Sequence, residues 1–291
     1  MAGVRSVLGL TVMLVAGFAS FAATAQPAST SCLAVSGRPA PVIQAAFRPA
    51  AQAQDPGARS DARPLLAQAG RALEANETRL TYIQHSTFLI ESAQAVRIAT
   101  DYTGYAGPGV APDVVTMNRA HETHYTDHPD PAIKHVLRGW NPEGAYAEHH
   151  LQIGDVQIRN VPTNIRGRDG GTVEFGNSIF IFEMVGLCIA HLGHLHHELT
   201  AQQLGQIGVI DVVLVPVDGS YTLDLPGVVE VLKSLHARLI VPMHYFSGFS
   251  LNRFLERMRP YYSARFADSP SVVVSRAMLP ETPEILVLPP L

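Results

Sequence analysis

Hydrophobic and polar positions divide the chain into three regimes. Val7 to Ala23 is a nearly unbroken apolar stretch. From residue 26 to about residue 60, Ala, Pro, Gln and Ser recur without periodicity, the pattern of a linker. Asp61–Glu74 has the makings of one short helix capped by Asp61. From Arg79 onward, short apolar runs alternate with Gly, Pro and Asp, and the expected elements become dense. Leu80–Ile83, Thr87–Glu91 and Val96–Thr100 are predicted as antiparallel strands, and Asp113–Met117 as a buried one. Asp130–Leu137 is predicted as a short helix with Pro131 at its first position. His150–Ile153 and Val156–Val161 form a hairpin around Gly154-Asp155, followed by strands at Ser178–Glu183 and Leu187–Ala190.

The rhythm then changes to helix–strand alternation. Thr200 with Gln203 is a capping box that opens a helix. Asp211–Val217 and Leu239–Met243 read as strands, and Leu225–His236 and Ser250–Arg259 as helices. Ser271–Ser275 and Glu284–Leu288 are late strands. A meander followed by strand–helix alternation predicts two sheets with helices outside. The organisation expected is a signal peptide over residues 1–25, a linker with room for a short helix over 26–76, and one domain over 77–291.

Composition adds the compartment. Arg5, the apolar Val7–Ala23 and the small-x-small sequence Ala23-Thr24-Ala25 form a secretory signal with cleavage before Gln26. The apolar stretch is shorter than the ~20 residues a span usually needs. A periplasmic or secreted protein with no stable membrane anchor after cleavage is therefore expected. The formal net charge of −4, with no run of Lys or Arg, gives no footing for nucleic acid. A small-molecule substrate is the expected partner, and nothing in the pattern sets an oligomeric state. The two cysteines are expected to stay unpaired, Cys32 in the linker and Cys188 packed in an apolar strand.

Chemistry enters with the 13 histidines, all between Tyr82 and Tyr245. Asp113–Met117 runs into His121 and His124, Cys188–Ala190 into His191 and His194, and Leu239–Met243 into His244. Strand ends are where an α/β scaffold places its site. Imidazoles gathered from several strand ends suit a borderline metal such as zinc. His128, His135, His149, His150 and His236 lack that context and read as surface or structural residues.

Several segments carry a family resemblance. They are Tyr82-Ile83-Gln84-His85-Ser86-Thr87-Phe88-Leu89-Ile90, Gly176-Asn177-Ser178-Ile179-Phe180, Ile189-Ala190-His191-Leu192-Gly193, Asp211–Val217 and Val241-Pro242-Met243-His244-Tyr245. In order and spacing the chain resembles the metallo-β-lactamase superfamily, and within it the branch of ascorbate-6-phosphate lactonase-like hydrolases. The resemblance implies a mixed α+β / α/β fold, a four-layer αβ/βα sandwich with metal in the groove between its sheets. The family's His-x-His-x-Asp-His motif has two registers here. The one ending at His128 keeps Asp127 but leaves the strand; the one ending at His124 keeps the strand junction and is preferred. In that register Arg119 replaces the first histidine and Thr123 the aspartate, while His194 replaces a bridging carboxylate.

By this carry-over the metal ligands are His121, His124, His191, His194 and His244. Without the aspartates, one ion is expected rather than two: zinc, or else iron or another transition metal such as copper. Arg119 has two readings, either holding a substrate carboxylate or phosphate or swinging out to pair with Glu122 or Asp127. Asp101 and Asp127 are candidate general bases, and Asp101 is also placed to orient a ligand histidine. Asp218 either returns a carboxylate to the site or only forms a turn. His85 faces the groove in relatives, His196 and His197 extend the cluster, and Tyr221 and Tyr245 line the pocket. The activity implied is hydrolysis of an ester, lactone, amide or phosphodiester by metal-activated water. The alternatives are a non-catalytic binding protein and a single-iron redox enzyme.

Overall fold

The computed structural model describes residues 32–33, 71–167 and 169–291. The expected signal peptide and residues 61–70 of the expected first helix lie outside the described residues. The first sheet has six strands in the order β13-β1-β2-β3-β4-β5. These are β1 (Thr78–Gln84), β2 (Thr87–Glu91), β3 (Arg97–Ala99), β4 (Val114–Met117), β5 (His135–Arg138) and β13 (Ser271–Val274). The second has eight, in the order β12-β14-β11-β10-β9-β8-β7-β6. Its strands are β6 (His150–Ile153), β7 (Val156–Arg166), β8 (Thr172–Met184), β9 (Leu187–His191), β10 (Val212–Pro216), β11 (Leu239–Met243), β12 (Ser263–Phe266) and β14 (Glu284–Val287). Three helices lie in the second half: α1 (Ala201–Ile207), α2 (Leu225–Leu235) and α3 (Gly248–Met258).

The two-residue side-chain period of the strands sorts the core. Phe88, Ile90 and Ile98 of the first sheet meet Ile158, Phe180, Phe182, Ile189, Leu214 and Val241 of the second, a dry layer between the sheets. Alternate residues of the second sheet, Ile181, Ala190, Val213, Val215 and Ile240, point outward. There they pack against Ile207 of α1, Val228 and Leu232 of α2 and Phe254 of α3. This is the expected two-sheet sandwich, with its α-helices over the second sheet. Among the described residues the outer face of the first sheet is covered by loops, with Tyr102, Ile133, Tyr125 and Trp140 packed over Val115 and Met117.

Thr200 caps α1 with the expected box, its side chain accepting from Gln203 N while the Gln203 side chain bonds back. The helix expected at Asp130–Leu137 is absent. Asp130 Oδ1 accepts from Ala132 N at 2.9 Å and its carbonyl from Ile133 N at 3.0 Å, a turn. The chain then pairs in parallel with β4 as β5. The side chain of Asp130 competes for backbone N–H groups that a helix would need, and the free edge of β4 captures His135–Arg138 as a strand. β12, pairing in parallel with β14, was not expected.

The cysteines depart from expectation as well. Cys32 and Cys188 form a disulfide with Cα atoms 5.7 Å apart, and both are buried. Alternation on β9 turns Cys188 toward the helix layer, where Val209 N donates to the Cys32 carbonyl at 2.8 Å. A Cβ on Gly208 would meet that carbonyl oxygen at 2.1 Å, so only glycine admits the segment there. No helix among the described residues is long and apolar enough to cross a membrane.

Candidate metal centre

The site forms at one end of the sandwich, where loops leave both sheets. The first sheet contributes the β1–β2 turn with His85, Asp101 just after β3, and the loop after β4. The second contributes residues after β9, β10 and β11. Asn118 N donates to the His124 carbonyl at 3.2 Å and His124 N to the His121 carbonyl at 2.9 Å, which coils the loop so that both rings turn inward. His244 N donates to the His85 carbonyl at 2.7 Å and ties the sheets together at this end. Three non-glycine residues here have left-handed backbones: His85 (φ 49°), Asp101 (φ 40°) and His244 (φ 56°). Such conformations cost of order 1 kcal/mol or more each and persist where the surroundings over-determine them.

Four rings converge. One ligand atom each from His121, His124, His194 and His244 lies within 4.8 Å of all the others. His124 Nε2 and His244 Nε2 are 3.1 Å apart, and His121 Nε2 and His194 Nε2 are 3.2 Å apart. Two buried carboxylates set what those nitrogens offer. Asp101 Oδ2 is 2.6 Å from His124 Nδ1, and Asp218 Oδ1 is 3.1 Å from His244 Nδ1. A carboxylate beside Nδ1 holds the proton there and leaves Nε2 as a lone pair. With the proton on Nδ1, the Nε2 atoms of His124 and His244 face each other at 3.1 Å as two nitrogen donors placed to share one cation. The donor set, all imidazole, fits a single zinc-like ion.

The protonation balance agrees with a ligand role. Burial, reinforced by neighbouring imidazoles, pushes His194 down to about 2 and His85 down to about 3. His124 is held well below its ordinary value, and His121 is lowered, by burial first and then by His244. Burial raises Asp101 to about 6, against the pull of His191 and the Asn118 hydrogen bond. Burial alone would also raise Asp218. Hydrogen bonds from His244 and Thr222 outweigh that and hold its carboxyl well below the usual range.

These shifts predict acid sensitivity in the metal-free protein. Unfolded histidines titrate at about 6.5, and the folded ones below that. Between those values the unfolded state binds more protons, so stability is full above about pH 6.5 and is lost as pH falls. The buried His124 and His194 each contribute up to about 1.4 kcal/mol per pH unit, and the exposed His121 less because solvent screens it. Asp101, raised to about 6, has the opposite sign between about 4 and 6, and Asp211, also raised by burial, shares that sign, but the lowered histidines outnumber them. After chelation, unfolding midpoints should fall steadily from pH 7 to pH 5; a flat profile over that range would refute the assignment.

The structure does not bring every expected residue into the cluster. His191 is not a ligand here: its Nε2 donates to the Ser86 carbonyl at 2.8 Å and its Nδ1 accepts from Gly193 N at 3.1 Å, so both nitrogens are spent. As the last residue of β9 it follows the strand's alternation into the layer between the sheets, its ring 6.5 Å from Phe88. His197 is also committed, accepting from Asn164 N and donating to the Glu198 carbonyl, and neither it nor His196 joins the four. Asp101 is fully buried behind His124 and orients it, which leaves it no place as a general base. Asp127 is exposed and is not among the residues that converge. Asp218 both closes its turn, accepting from Ser220 N at 2.9 Å, and braces His244. His85 lies with its ring 4.1 Å from that of His244, its Nε2 buried and without a partner among the described residues.

Two residues had no role in the expectations drawn from sequence. Asn118 Nδ2 donates to Asp101 Oδ1 at 2.9 Å while its Oδ1 accepts from Ser178 N at 2.8 Å. Asn177 Oδ1 accepts from His194 N at 2.7 Å, and its Nδ2 donates to the Leu192 carbonyl at 3.1 Å. Gly193 is squeezed between them, at φ 58°, where a Cβ would meet Asn177 Oδ1 at 2.3 Å and Asn118 Nδ2 at 2.4 Å. The signal was available in Gly176-Asn177-Ser178 and in Asn118 at the strand end, as amides embedded in apolar sequence.

His121 is exposed and opens the cluster onto a groove shared with Arg119, Tyr125, Ile165 and Arg166. On the opposite flank the exposed Phe246 ring lies 5.3 Å from His244 and 5.7 Å from Tyr221. Tyr245 is partly buried, its hydroxyl donating to the Leu288 carbonyl at 3.4 Å.

Similarity to known proteins points the same way. The profile of the beta-lactamase superfamily domain matches residues 79–244. A UPF0173 metal-dependent hydrolase of Opitutus terrae is 30% identical over 196 residues, 58% of this chain and 86% of that protein. One from Archaeoglobus fulgidus is 26% identical over 191 residues, 57% of this chain and 83% of that protein. Among solved structures, a metallo-β-lactamase superfamily protein of Thermotoga maritima, described as a candidate Zn-dependent hydrolase, superposes with a TM-score of 0.53. It is 29% identical, covering 72% of this chain and 98% of its own. None of these three is described as an ascorbate-6-phosphate lactonase.

Proposed function

The chain belongs to the metallo-β-lactamase superfamily, and on that premise we propose that it is an exported, zinc-dependent hydrolase of a small molecule. The observation that carries this reading is the convergence of His121, His124, His194 and His244, with two inward lone pairs fixed by buried aspartates. A zinc ion held there would polarise water and lower its pKa toward about 7. Asp101 and Asp218 keep the proton on the far nitrogen of His124 and His244. Asn118 and Asn177 hold the two loops in register, and the dry layer between the sheets excludes water from behind. His121, exposed, is the ligand a substrate would approach.

Export draws on the signal-like N-terminus and on the Cys32–Cys188 bridge, since disulfides persist in oxidising compartments. One observation favours a rival. Four imidazoles fill a tetrahedron, the arrangement of a closed structural metal site, and a non-catalytic binding protein would have it. A single preparation separates the two. Protein recovered from the periplasm should begin at Gln26, carry about one zinc per chain, and hydrolyse members of a panel of esters, lactones, amides and phosphodiesters. That activity should vanish with a chelator and return with zinc. Stoichiometric metal with no turnover across the panel would establish the rival, and absence of metal would sink both.

A further inference from the structure

We propose that the groove beside His121 is an anion receptor, in which Arg119 and Arg166 together bind a carboxylate or phosphate group of the substrate. The inference rests on the hydrolase reading and names the class of molecule the site takes. Arg119 is exposed, lies two residues before His121 and lines the same groove. Of the two readings of Arg119, pairing with an acid is not seen: among the described residues Arg119 forms no ion pair with Glu122, Asp127 or any other group. Arg166, the last residue of β7 in the second sheet, lines the same groove. Among the described residues its side chain makes one hydrogen bond, from Nη2 to the Thr222 carbonyl at 3.4 Å, which leaves the rest of its donor fork free.

The two arginines are set by rigid backbone. Arg119 N donates to the Gly176 carbonyl at 3.0 Å, which docks the loop after β4 onto β8. A Cβ on Gly176 would meet Ile165 Cγ1 at 2.6 Å, so glycine is what allows β8 to close against the residue preceding Arg166. Among the described residues the charged groups lining this groove are Arg119, Arg166 and Glu122, a net positive lining. An uncommitted guanidinium presents paired N–H donors that match two oxygens of a carboxylate or phosphate. The carboxylates that brace the cluster, Asp101 and Asp218, are buried behind His124 and His244 and are not part of the groove lining. An anion seated between the arginines holds the rest of its molecule beside the one exposed imidazole of the four.

Calorimetric titration of the zinc-loaded full chain with methylphosphonate and with acetate tests this, since neither probe can be hydrolysed. Binding by at least one probe is expected, weakened by added salt, and the tighter probe identifies phosphate or carboxylate as the natural group. Arg119→Gln and Arg166→Gln should each weaken it about tenfold, with zinc content unchanged. Wild-type affinity in both variants would place the anion on the metal and overturn the proposal, as would failure of both probes to bind the wild type at millimolar concentration. Arginine-dependent binding in a protein that turns over nothing in the hydrolysis panel would keep the receptor and reject the hydrolase.

Discussion

Replacing His124 with alanine is expected to release the metal and reduce hydrolysis to below about 1% of the wild-type rate, whereas His191→Ala should keep its metal. Both histidines are fully buried, His124 in the loop after β4 and His191 at the last position of β9, next to a histidine-rich loop. His124 offers an inward lone pair, fixed by Asp101 behind it. Losing an orienting partner alone typically costs about 10–100-fold in metal affinity, and losing the ligand itself exceeds that. The substitution also strands the Asp101 carboxylate in a dry environment with only Asn118 to satisfy it. His191 has no free nitrogen to give, so its loss costs two hydrogen bonds, about 1–3 kcal/mol of stability. Zinc analysis and unfolding midpoints on the two variants check the contrast. Equal zinc loss in both, with the fold intact by circular dichroism, would return His191 to the ligand set.

Removal of the disulfide is the second large effect. Cys32→Ser should lower stability by about 3–5 kcal/mol, because the bridge closes a loop across 156 residues and restricts the unfolded chain. For a domain of this size that is a Tm lower by roughly 10 °C. Cys188 sits three residues before His191 on the same strand, so a merely local packing role would predict a smaller loss. Zinc content at room temperature should be unchanged, since β9 remains paired on both sides with β8 and β10. Equal Tm values for wild type under oxidising and strongly reducing conditions, with the thiols shown to react, would refute the assignment.

The success of the predicted strands and the failure at Asp130–Leu137 have one origin. Leu239–Met243 and Thr87–Glu91 are apolar runs bounded by polar residues, and burial on both faces leaves them no alternative. His135–Arg138 is only half-buried and has no such pattern. Its strand state depends on β4 presenting an open edge, which no local window contains. Cys32 is a similar case. A cysteine in aperiodic sequence carries no sign of where it docks, and the space that Gly208 leaves for it exists only once α1 is in place.

The candidate site divides in the same way. Its composition was readable in the chain itself: histidines at the ends of three apolar strands. Hydrophobic periodicity marks strands, strand ends mark where loops begin, and residue chemistry marks what those loops can bind. Which imidazoles converge was a tertiary decision, because a ring's direction depends on the partner of its second nitrogen. Asp101 and Asp218 turn His124 and His244 inward, Ser86 and Gly193 hold His191 away, and Asn177 sets the backbone that delivers His194. Those partners lie between 2 and 105 residues from the rings they control, and only the closing of one sheet on the other brings the distant ones within reach.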